Sequence, residues 1–405
     1  MLTRPALLLS LCLLLALSVS ITPRPPHPAA LPPPPPLRAL LVGGGPDREY
    51  NQVAIESNVR YVQRLLPPGT HSRTLYADGN PHSRIVLYTD AQGHDRYRVT
   101  TLRHVDGPAR LRPFQQTFHS LTQNAPGPLL LYFTGHGSPG ARGYDNNDYD
   151  LWGNDALSVT KLAETLSVLP PQTSVTVIMV QCFSGAFGSL LFAGGDPQGA
   201  PINLDLCGFF ASMADSEAAG CTSEVDEADY HDFTSYFFAA LSGQSRLGRR
   251  VSGADYNGDG TVGMNEAFAY ALIHDPSIDT PVCTSDVFLR RFVPVASDRD
   301  IFQTAYTDVL GWADPAQRAA LTALSTQLHL AGDDRLACAY THFRHADRDG
   351  TDAQQEQEAH WTRFVRLAKS VVLAHRLQAS GSAALQARYA ALLAAEARSP
   401  LRLAP

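Results

Sequence analysis

One cysteine and one histidine in this chain stand where a thiol and an imidazole can act together. His136 is flanked by two glycines and follows the apolar run Pro128–Thr134, while Cys182 follows the apolar run Ser174–Val180. A thiol nucleophile needs a nearby imidazole, which favours the thiolate and protonates the leaving amine. Glycine beside such residues lets backbone N–H groups approach an oxyanion closely. The pattern therefore predicts covalent thiol chemistry by a Cys182–His136 dyad.

The elements around the dyad predict a mostly parallel sheet. Strand patterns at Leu37–Val42, Ser72–Tyr76 and Ile85–Tyr88 alternate with helical patterns at Val53–Leu66 and Leu157–Leu166. Such alternation is typical of an α/β fold with helices on both faces of the sheet, in which sites form beyond the carboxyl ends of the strands. The two strongest strands end at the histidine and the cysteine and lie one helix apart. A parallel crossover makes them neighbours.

Three segments of the chain, taken together, point to a known family. Leu130–Ser138, Leu157–Leu166 and Val180–Gly185 resemble the legumain family of the caspase-like cysteine peptidases, and the likeness spans roughly residues 37–241. Tyr50-Asn51 is similar to a pair after the family's first strand, and Phe209–Cys221 resembles the segment that lines its specificity pocket. The resemblance implies a cysteine endopeptidase that forms an acyl-enzyme and needs no catalytic cofactor. A transpeptidase with the same dyad, or a non-catalytic calcium-stabilised binding module, is the alternative.

The resemblance also implies roles for single residues. His136 and Cys182 become the catalytic pair, and the backbone N–H groups of Gly137 and Cys182 become the oxyanion hole. Asn51 becomes the residue that orients the imidazole. From the residues alone, Asn51 is equally consistent with an N-cap of the helix that begins at Val53.

The residue preference at the cleaved bond stays open. Legumains use an arginine two positions after the Tyr–Asn pair and an acid two positions before the nucleophile, and these positions hold Val53 and Val180 here. Asp232 falls where the family has a further pocket acid, while Ser212 and Asp215 lie in the segment that resembles the pocket lining. Each of the two acids is consistent with holding a basic substrate side chain or with a solvated loop position.

One loop in the second half of the chain follows the twelve-residue spacing of an EF-hand. Its oxygen ligands would be Asp255, Asn257, Asp259, the Thr261 carbonyl and a bidentate Glu266. The segment before the loop is basic and broken by glycine, unlike an EF-hand helix, and such loops also occur as turns without metal. The spacing predicts a structural Ca²⁺ at residues 255–266.

The two ends of the chain differ from its middle in composition. Residues 1–21 combine Arg4 with an apolar run, which predicts a signal peptide or an uncleaved signal anchor, and the proline-dense residues 22–36 predict a stiff spacer. Residues 37–294 form the predicted catalytic domain. Residues 295–405 read as helices, either a layer that stabilises the catalytic domain or, as in legumains, a region that covers the active site.

The overall composition excludes some classes of protein. Of 405 residues, 44% are hydrophobic and 18% charged, as in a globular protein with a substantial core, and the net charge of −7 disfavours a general nucleic-acid binder. We therefore expect protein or peptide substrates, a secreted or extracytoplasmic location, and membrane contact only through an uncleaved anchor. Outside the cytosol, the five cysteines after Cys12 allow two disulfides and one free thiol, or five reduced thiols.

Overall fold

The computed structural model describes residues 35–123, 127–345 and 351–401. The predicted export segment and nearly all of the spacer lie outside these residues. From residue 35 onward the chain forms one compact unit. Within the described ranges, every helix is too short or too polar to span a lipid bilayer.

A mostly parallel sheet forms the centre of the molecule. The strands of the described residues are β1 (Arg38–Gly44), β2 (His71–Tyr76), β3 (Val86–Thr89), β4 (Asp95–Arg98), β5 (Leu129–Gly135), β6 (Gly137–Gly140), β7 (Gly143–Leu151), β8 (Asp155–Ser158), β9 (Ser174–Met179), β10 (Asp205–Phe210) and β11 (Val282–Cys283). Six of them pair in the order β11-β10-β9-β5-β1-β2, and within this described sheet the edge pair β10–β11 is antiparallel while the other pairs are parallel. Two smaller antiparallel sheets are β3-β4 and β6-β7-β8.

Helices cover both faces of the central sheet. In the described residues they are α1 (Val53–Leu65), α2 (Leu111–Thr122), α3 (Val159–Leu166), α4 (Phe233–Ser242), α5 (Met264–His274), α6 (Thr284–Phe292), α7 (Asp298–Phe302), α8 (Tyr306–Trp312), α9 (Pro315–Gln327), α10 (Arg335–His345), α11 (Asp352–Ser380) and α12 (Ala383–Glu396). Neighbouring residues of a strand point to opposite faces. In β5, the Tyr132 ring packs on Phe238 of α4 at 5.5 Å between centroids, and the Phe133 ring packs on Phe114 of α2 at 5.8 Å. The predicted α/β architecture with a C-terminal helical region is confirmed.

The outer edge of β2 is covered by a loop. The Thr74 N–H donates to the Asp106 carboxylate at 2.7 Å, and the Asp106 N–H donates to the Thr74 carbonyl at 2.7 Å. The Tyr76 N–H donates to the Gly107 carbonyl at 3.1 Å. These bonds satisfy backbone groups that an edge strand otherwise leaves open.

Among the described helices after residue 295, α12 packs on β10 of the central sheet, and α9 and α11 pack on α5 and α6. Glu396, at the end of α12, is buried and accepts hydrogen bonds from the Thr284 hydroxyl and the Ser285 N–H, both at 2.7 Å. Burial raises the pKa of Glu396 to about 7. Arg363 of α11 is also buried and bonds to backbone carbonyls between α5 and β11. Buried polar contacts thus tie the last two helices to the rest of the unit.

Candidate active site

The register of the sheet places His136 and Cys182 in neighbouring loops. β5 and β9 are parallel neighbours whose last paired residues are Phe133 and Met179. His136 and Cys182 each follow three positions later, counting 133 to 136 and 179 to 182. Phe133 and Met179 are paired with each other, and the two residues of interest lie equally far beyond this pair. The two loops therefore leave the sheet at the same edge.

Gly137 forms the contact between the two loops. A Cβ atom built on Gly137 would lie 2.4 Å from the carbonyl oxygen of Cys182 and 2.6 Å from Cγ of Gln181. Both distances are far below van der Waals contact, so only glycine allows the loops to approach this closely. The loop of the histidine therefore touches the backbone of the cysteine itself.

The Cys182 thiol is half-buried against the segment after β10. Its Sγ accepts a hydrogen bond from the Ala218 N–H at 3.2 Å and lies 3.7 Å from the Ala218 carbonyl oxygen. Burial raises the pKa of the Cys182 thiol, the Ala218 N–H opposes that rise, and the charges of Glu217 and Asp279 add to it. The free protein therefore holds Cys182 mainly as the neutral thiol at pH 7.

The turn after Cys182 has an unusual backbone conformation. Phe183 has φ of 60°, in the left-handed region, which costs a non-glycine residue roughly 1–2 kcal/mol. Its N–H donates to the Ser216 carbonyl at 2.8 Å, and its carbonyl accepts from the Asn147 amide at 3.0 Å. The same amide donates to the Ala214 carbonyl at 2.8 Å. These bonds hold the turn and join it to the segment that contacts the thiol.

Gln52 holds the imidazole of His136. Nε2 of the ring lies 2.9 Å from Oε1 of Gln52, and the ring packs edge-on against Tyr50 at 5.6 Å between centroids. Burial lowers the pKa of His136, and the nearby Asp150 carboxylate works in the opposite direction. Within the described residues, no hydrogen bond joins this ring to the Cys182 thiol. Catalytic hydrogen bonds are often long or absent before substrate binds.

The predicted role of Asn51 is wrong in this geometry. Its side chain is buried, accepts from the Gly45 N–H at 3.3 Å and donates to the Ile85 carbonyl at 3.0 Å. The imidazole is oriented by Gln52 instead, and the N-cap of α1 is also Gln52. Asn51 therefore braces the loop that carries Gln52. The amino-acid sequence contains no signal for Gln52 beyond its place next to the Tyr–Asn pair.

Ser212 and Asp215, which the sequence assigned to a substrate pocket, occupy different environments. Ser212 is fully buried, and its hydroxyl accepts from the Ser184 N–H at 3.3 Å and donates to the Gln181 carbonyl at 3.4 Å. It therefore supports the backbone on both sides of Cys182, at Gln181 and at Ser184. Asp215 is exposed, and its carboxylate accepts from the neighbouring Ser216 hydroxyl at 3.3 Å.

Asp232 is neither solvated nor free to hold a basic substrate side chain. It forms an ion pair with Arg246 at 3.6 Å, and each side chain is only 3% exposed. The Asn58 amide donates to Asp232 at 3.1 Å, and the Ser235 N–H at the start of α4 donates to it at 2.7 Å. Its negative charge is therefore balanced inside the protein. This corrects both interpretations of Asp232 made from the sequence.

The predicted calcium loop is closed by its own hydrogen bonds. The Asp255 carboxylate accepts from the N–H groups of residues 258–260, and the Glu266 carboxylate accepts from those of residues 256, 257 and 263, at 2.8 to 3.2 Å. Gly260 has φ of +83°, as the sharp turn requires. Across the described ranges, no three His, Cys, Asp or Glu residues gather as metal ligands. The two carboxylates thus bond to the backbone of the loop itself, and calcium binding stays a prediction.

That prediction is tested by thermal unfolding. One millimolar CaCl₂ is expected to raise the Tm by about 3 °C over EGTA, since a bound cation removes repulsion among the loop carboxylates. Asp259→Asn should abolish the increase, because it removes a predicted ligand charge from an exposed position. Asp229→Asn, which changes an exposed acid outside the loop, serves as the matched control. Equal Tm values in CaCl₂ and EGTA would contradict a calcium site.

The described cysteines are free thiols. Cys207 and Cys283 are buried, Cys182 and Cys221 are half-buried, and Cys338 is exposed. The structure therefore shows the alternative of five reduced thiols and not the two disulfides. Cys12 lies outside the described residues.

Comparison with known proteins gives only distant likenesses. No family model and no curated sequence matches the chain. A Geobacter sulfurreducens protein solved by a structural genomics consortium matches with a TM-score of 0.35 and 13% identity over 62% of this chain and 92% of its own. Chaetomium thermophilum Raptor matches with a TM-score of 0.37 and 11% identity over 89% of this chain and 38% of its own. A secreted C11 cysteine protease from Bacteroides thetaiotaomicron, solved with an irreversible peptide inhibitor, matches with a TM-score of 0.29 and 14% identity over 67% of this chain and 71% of its own. At these scores the likenesses carry no argument about function.

Proposed function

We propose that this chain is a cysteine endopeptidase that cleaves peptide bonds through an acyl-enzyme on Cys182. The observation that carries the proposal is the contact between two loops at one edge of a parallel sheet, with Gly137 against the carbonyl of Cys182. The two loops in contact carry the Cys182 thiol and the His136 imidazole, and both residues are half-buried. Such an arrangement suits attack on a carbonyl that lies between them.

The residues of the site supply each step of this chemistry. The Cys182 sulfur attacks the substrate carbonyl, while the Ala218 N–H favours negative charge on the sulfur. The backbone N–H groups of Gly137 and Cys182 would stabilise the oxyanion. His136, held by Gln52, accepts the thiol proton during the attack and gives it to the leaving amine. Water then releases the acyl group, or an added amine intercepts it if the protein is a transpeptidase.

Substrate class and location follow from the same proposal. Proteins or peptides are the substrates, and no metal takes part in the cleavage. The N-terminal segment predicted as a signal would bring the chain to an extracytoplasmic compartment, with membrane contact limited to an uncleaved anchor. A calcium-stabilised binding module without catalysis is the competing proposal.

Covalent labelling tests the proposal directly. We expect a peptide carrying a thiol-reactive electrophile to modify Cys182 selectively, as mapped by mass spectrometry, and His136→Ala to slow this reaction about 100-fold. Selectivity is informative because the exposed Cys338 would react first if exposure alone governed labelling. Preferential labelling of Cys338, or equal rates in the variant, would favour the binding module.

The pH dependence of labelling follows from the two pKa shifts. Burial lowers the pKa of His136 below its ordinary 6.5 and raises the pKa of Cys182 above its ordinary 9.0. Between these values both groups are neutral, and the imidazole must accept the thiol proton during attack. We therefore expect the rate to be flat at neutral pH and to fall only as His136 is protonated, below pH 6.5. An acid limb centred above pH 7 would contradict this assignment.

A further inference from the structure

We propose that Arg363 of α11 positions the segment that contacts the nucleophile, which makes the C-terminal helical layer a working part of the active site. The catalytic consequence rests on the proposed function, but the placement of the thiol does not. The proposal follows from a continuous series of buried contacts between α11 and Cys182. Arg363 is a positioning residue, since it reaches the thiol only through other groups.

The first contacts run from Arg363 to the chain after α5. Arg363 is 2% exposed, and its guanidinium donates to the carbonyls of Leu272 at 3.4 Å, Asp275 at 2.5 Å, Ser277 at 2.8 Å and Asp279 at 2.7 Å. The end of a helix leaves carbonyl groups without intrahelical partners, and a positive charge there is favourable. Arg363 supplies both the hydrogen-bond donors and the positive charge at the end of α5, and it thereby fixes the backbone path of residues 275–279.

The side chain of Asp279 connects residues 275–279 to the segment beside the thiol, which contains Ala218 and Ala219. Its side chain is fully buried and accepts from the Ala219 N–H at 2.7 Å and from the Phe233 N–H at 2.8 Å. Burial raises the pKa of Asp279, and the two N–H bonds work against that rise. Ala219 directly follows Ala218, whose N–H lies 3.2 Å from the Cys182 sulfur. Two residues therefore separate the guanidinium from the donor that stabilises the thiolate.

Loss of the Arg363 side chain would remove the hydrogen bonds that hold residues 275–279 in place. Four buried carbonyls would lose their donor, and the nearby Asp275 carboxylate would lose a guanidinium 4.0 Å away. Unsatisfied buried groups are costly, so the segment would move to reach water. A shift of Asp279 displaces Ala219 and withdraws the Ala218 N–H from the sulfur. Displacements near 1 Å are enough to reduce a catalytic rate strongly.

The test measures thiol reactivity as well as catalysis. Arg363→Lys keeps the charge but cannot reach four carbonyls, and we expect alkylation of Cys182 by iodoacetamide at pH 8.5 to slow about tenfold. The maximal rate of reaction with the peptide electrophile should fall in Arg363→Lys by a factor similar to that for alkylation. The electrophile concentration that gives half of the maximal rate should change little. Glu396→Gln is the matched control, because it alters a buried acid of the same layer that bonds elsewhere. It should alkylate at the wild-type rate.

A second variant makes the series itself testable. Asp279→Glu keeps the charge near the thiol but lengthens the side chain in a packed site, and it should slow alkylation by a similar factor. Combined with Arg363→Lys, the losses should be non-additive, because both changes break one path. Additive losses, or wild-type alkylation in folded Arg363→Lys, overturn the proposal. If that variant does not fold, wild-type alkylation in Asp279→Glu overturns it.

Alkylation needs no peptide cleavage, so the two proposals fail separately. A chain that never cleaves peptides but shows the coupled loss of thiol reactivity refutes the endopeptidase and keeps the role of Arg363. A chain that cleaves peptides, with unchanged alkylation in both variants, refutes the role of Arg363 alone.

Discussion

Cys182→Ala is expected to lower peptide hydrolysis by at least about 10,000-fold, because the variant has no atom that can form the acyl-enzyme. The measurement is a steady-state assay on a library of peptides that varies the residue before the cleaved bond. Binding of an uncleaved peptide should persist, because the bonds of Ser212 to Gln181 and Ser184 do not involve the side chain of Cys182.

The control for this variant is Cys338→Ala. Cys338 is an exposed cysteine of α10, and its removal should leave hydrolysis unchanged. Residual hydrolysis by Cys182→Ala near the wild-type rate would mean that another group, or a contaminating enzyme, cleaves the peptides. Under both explanations, Cys182 would not be the nucleophile.

Gly137→Ala is expected to lower hydrolysis by about 100-fold, since misplacement of reacting groups by roughly 1 Å has this effect. The added methyl group would meet the Cys182 carbonyl oxygen at 2.4 Å, so one of the two loops must move. The loss should appear in kcat, because the displaced groups are those that hold the transition state.

Gly311→Ala is the matched control for the glycine substitution. Gly311 lies in α8, and an added Cβ meets no atom within 4 Å. Alanine also favours helix there, so stability should be equal or slightly higher. If Gly137→Ala cleaved peptides at the rate of Gly311→Ala, the two loops would not form a common site.

The strongly apolar strands could be predicted because both of their faces are buried. Pro128–Thr134 and Ser174–Val180, taken from the sequence, correspond to β5 and β9 within one or two residues. The sequence pattern does not predict β7. Its Asp and Asn residues between positions 145 and 150 are types that disfavour strands, yet Asn147, Tyr149 and Leu151 alternate inward and are buried. Every second residue from position 147 to 151 points inward, but the acidic residues between them give the sequence the composition of a loop.

The support of the imidazole could not be predicted to the residue. Asn51 and Gln52 are neighbours with side-chain amides of similar chemistry, and the choice between them depends on which one points toward His136. The bonds of Asn51 to Gly45 and Ile85 decide this, and they join segments that are far apart in sequence. Backbone direction in a loop is set by such contacts and not by residue type.

The environment of Asp232 was equally hidden. Its partner Arg246 lies after α4, in a turn with no motif, and also donates to Ser57 and Ser235. The sequence shows an acid at a position that resembles the family's pocket, but it does not show that the guanidinium of Arg246 forms an ion pair with that acid. Buried ion pairs of this kind form only when distant segments close on each other. The substrate preference must therefore be measured and not inferred from Asp232.

The loop along β2 also affects how copies of this chain meet one another. Thr74 and Tyr76 already use backbone groups in bonds to Asp106 and Gly107, so a strand from a second molecule finds few partners on that side. The very apolar strands β1 and β5 lie inward from this edge. The cover thus shields the most aggregation-prone part of the sheet from intermolecular β-pairing.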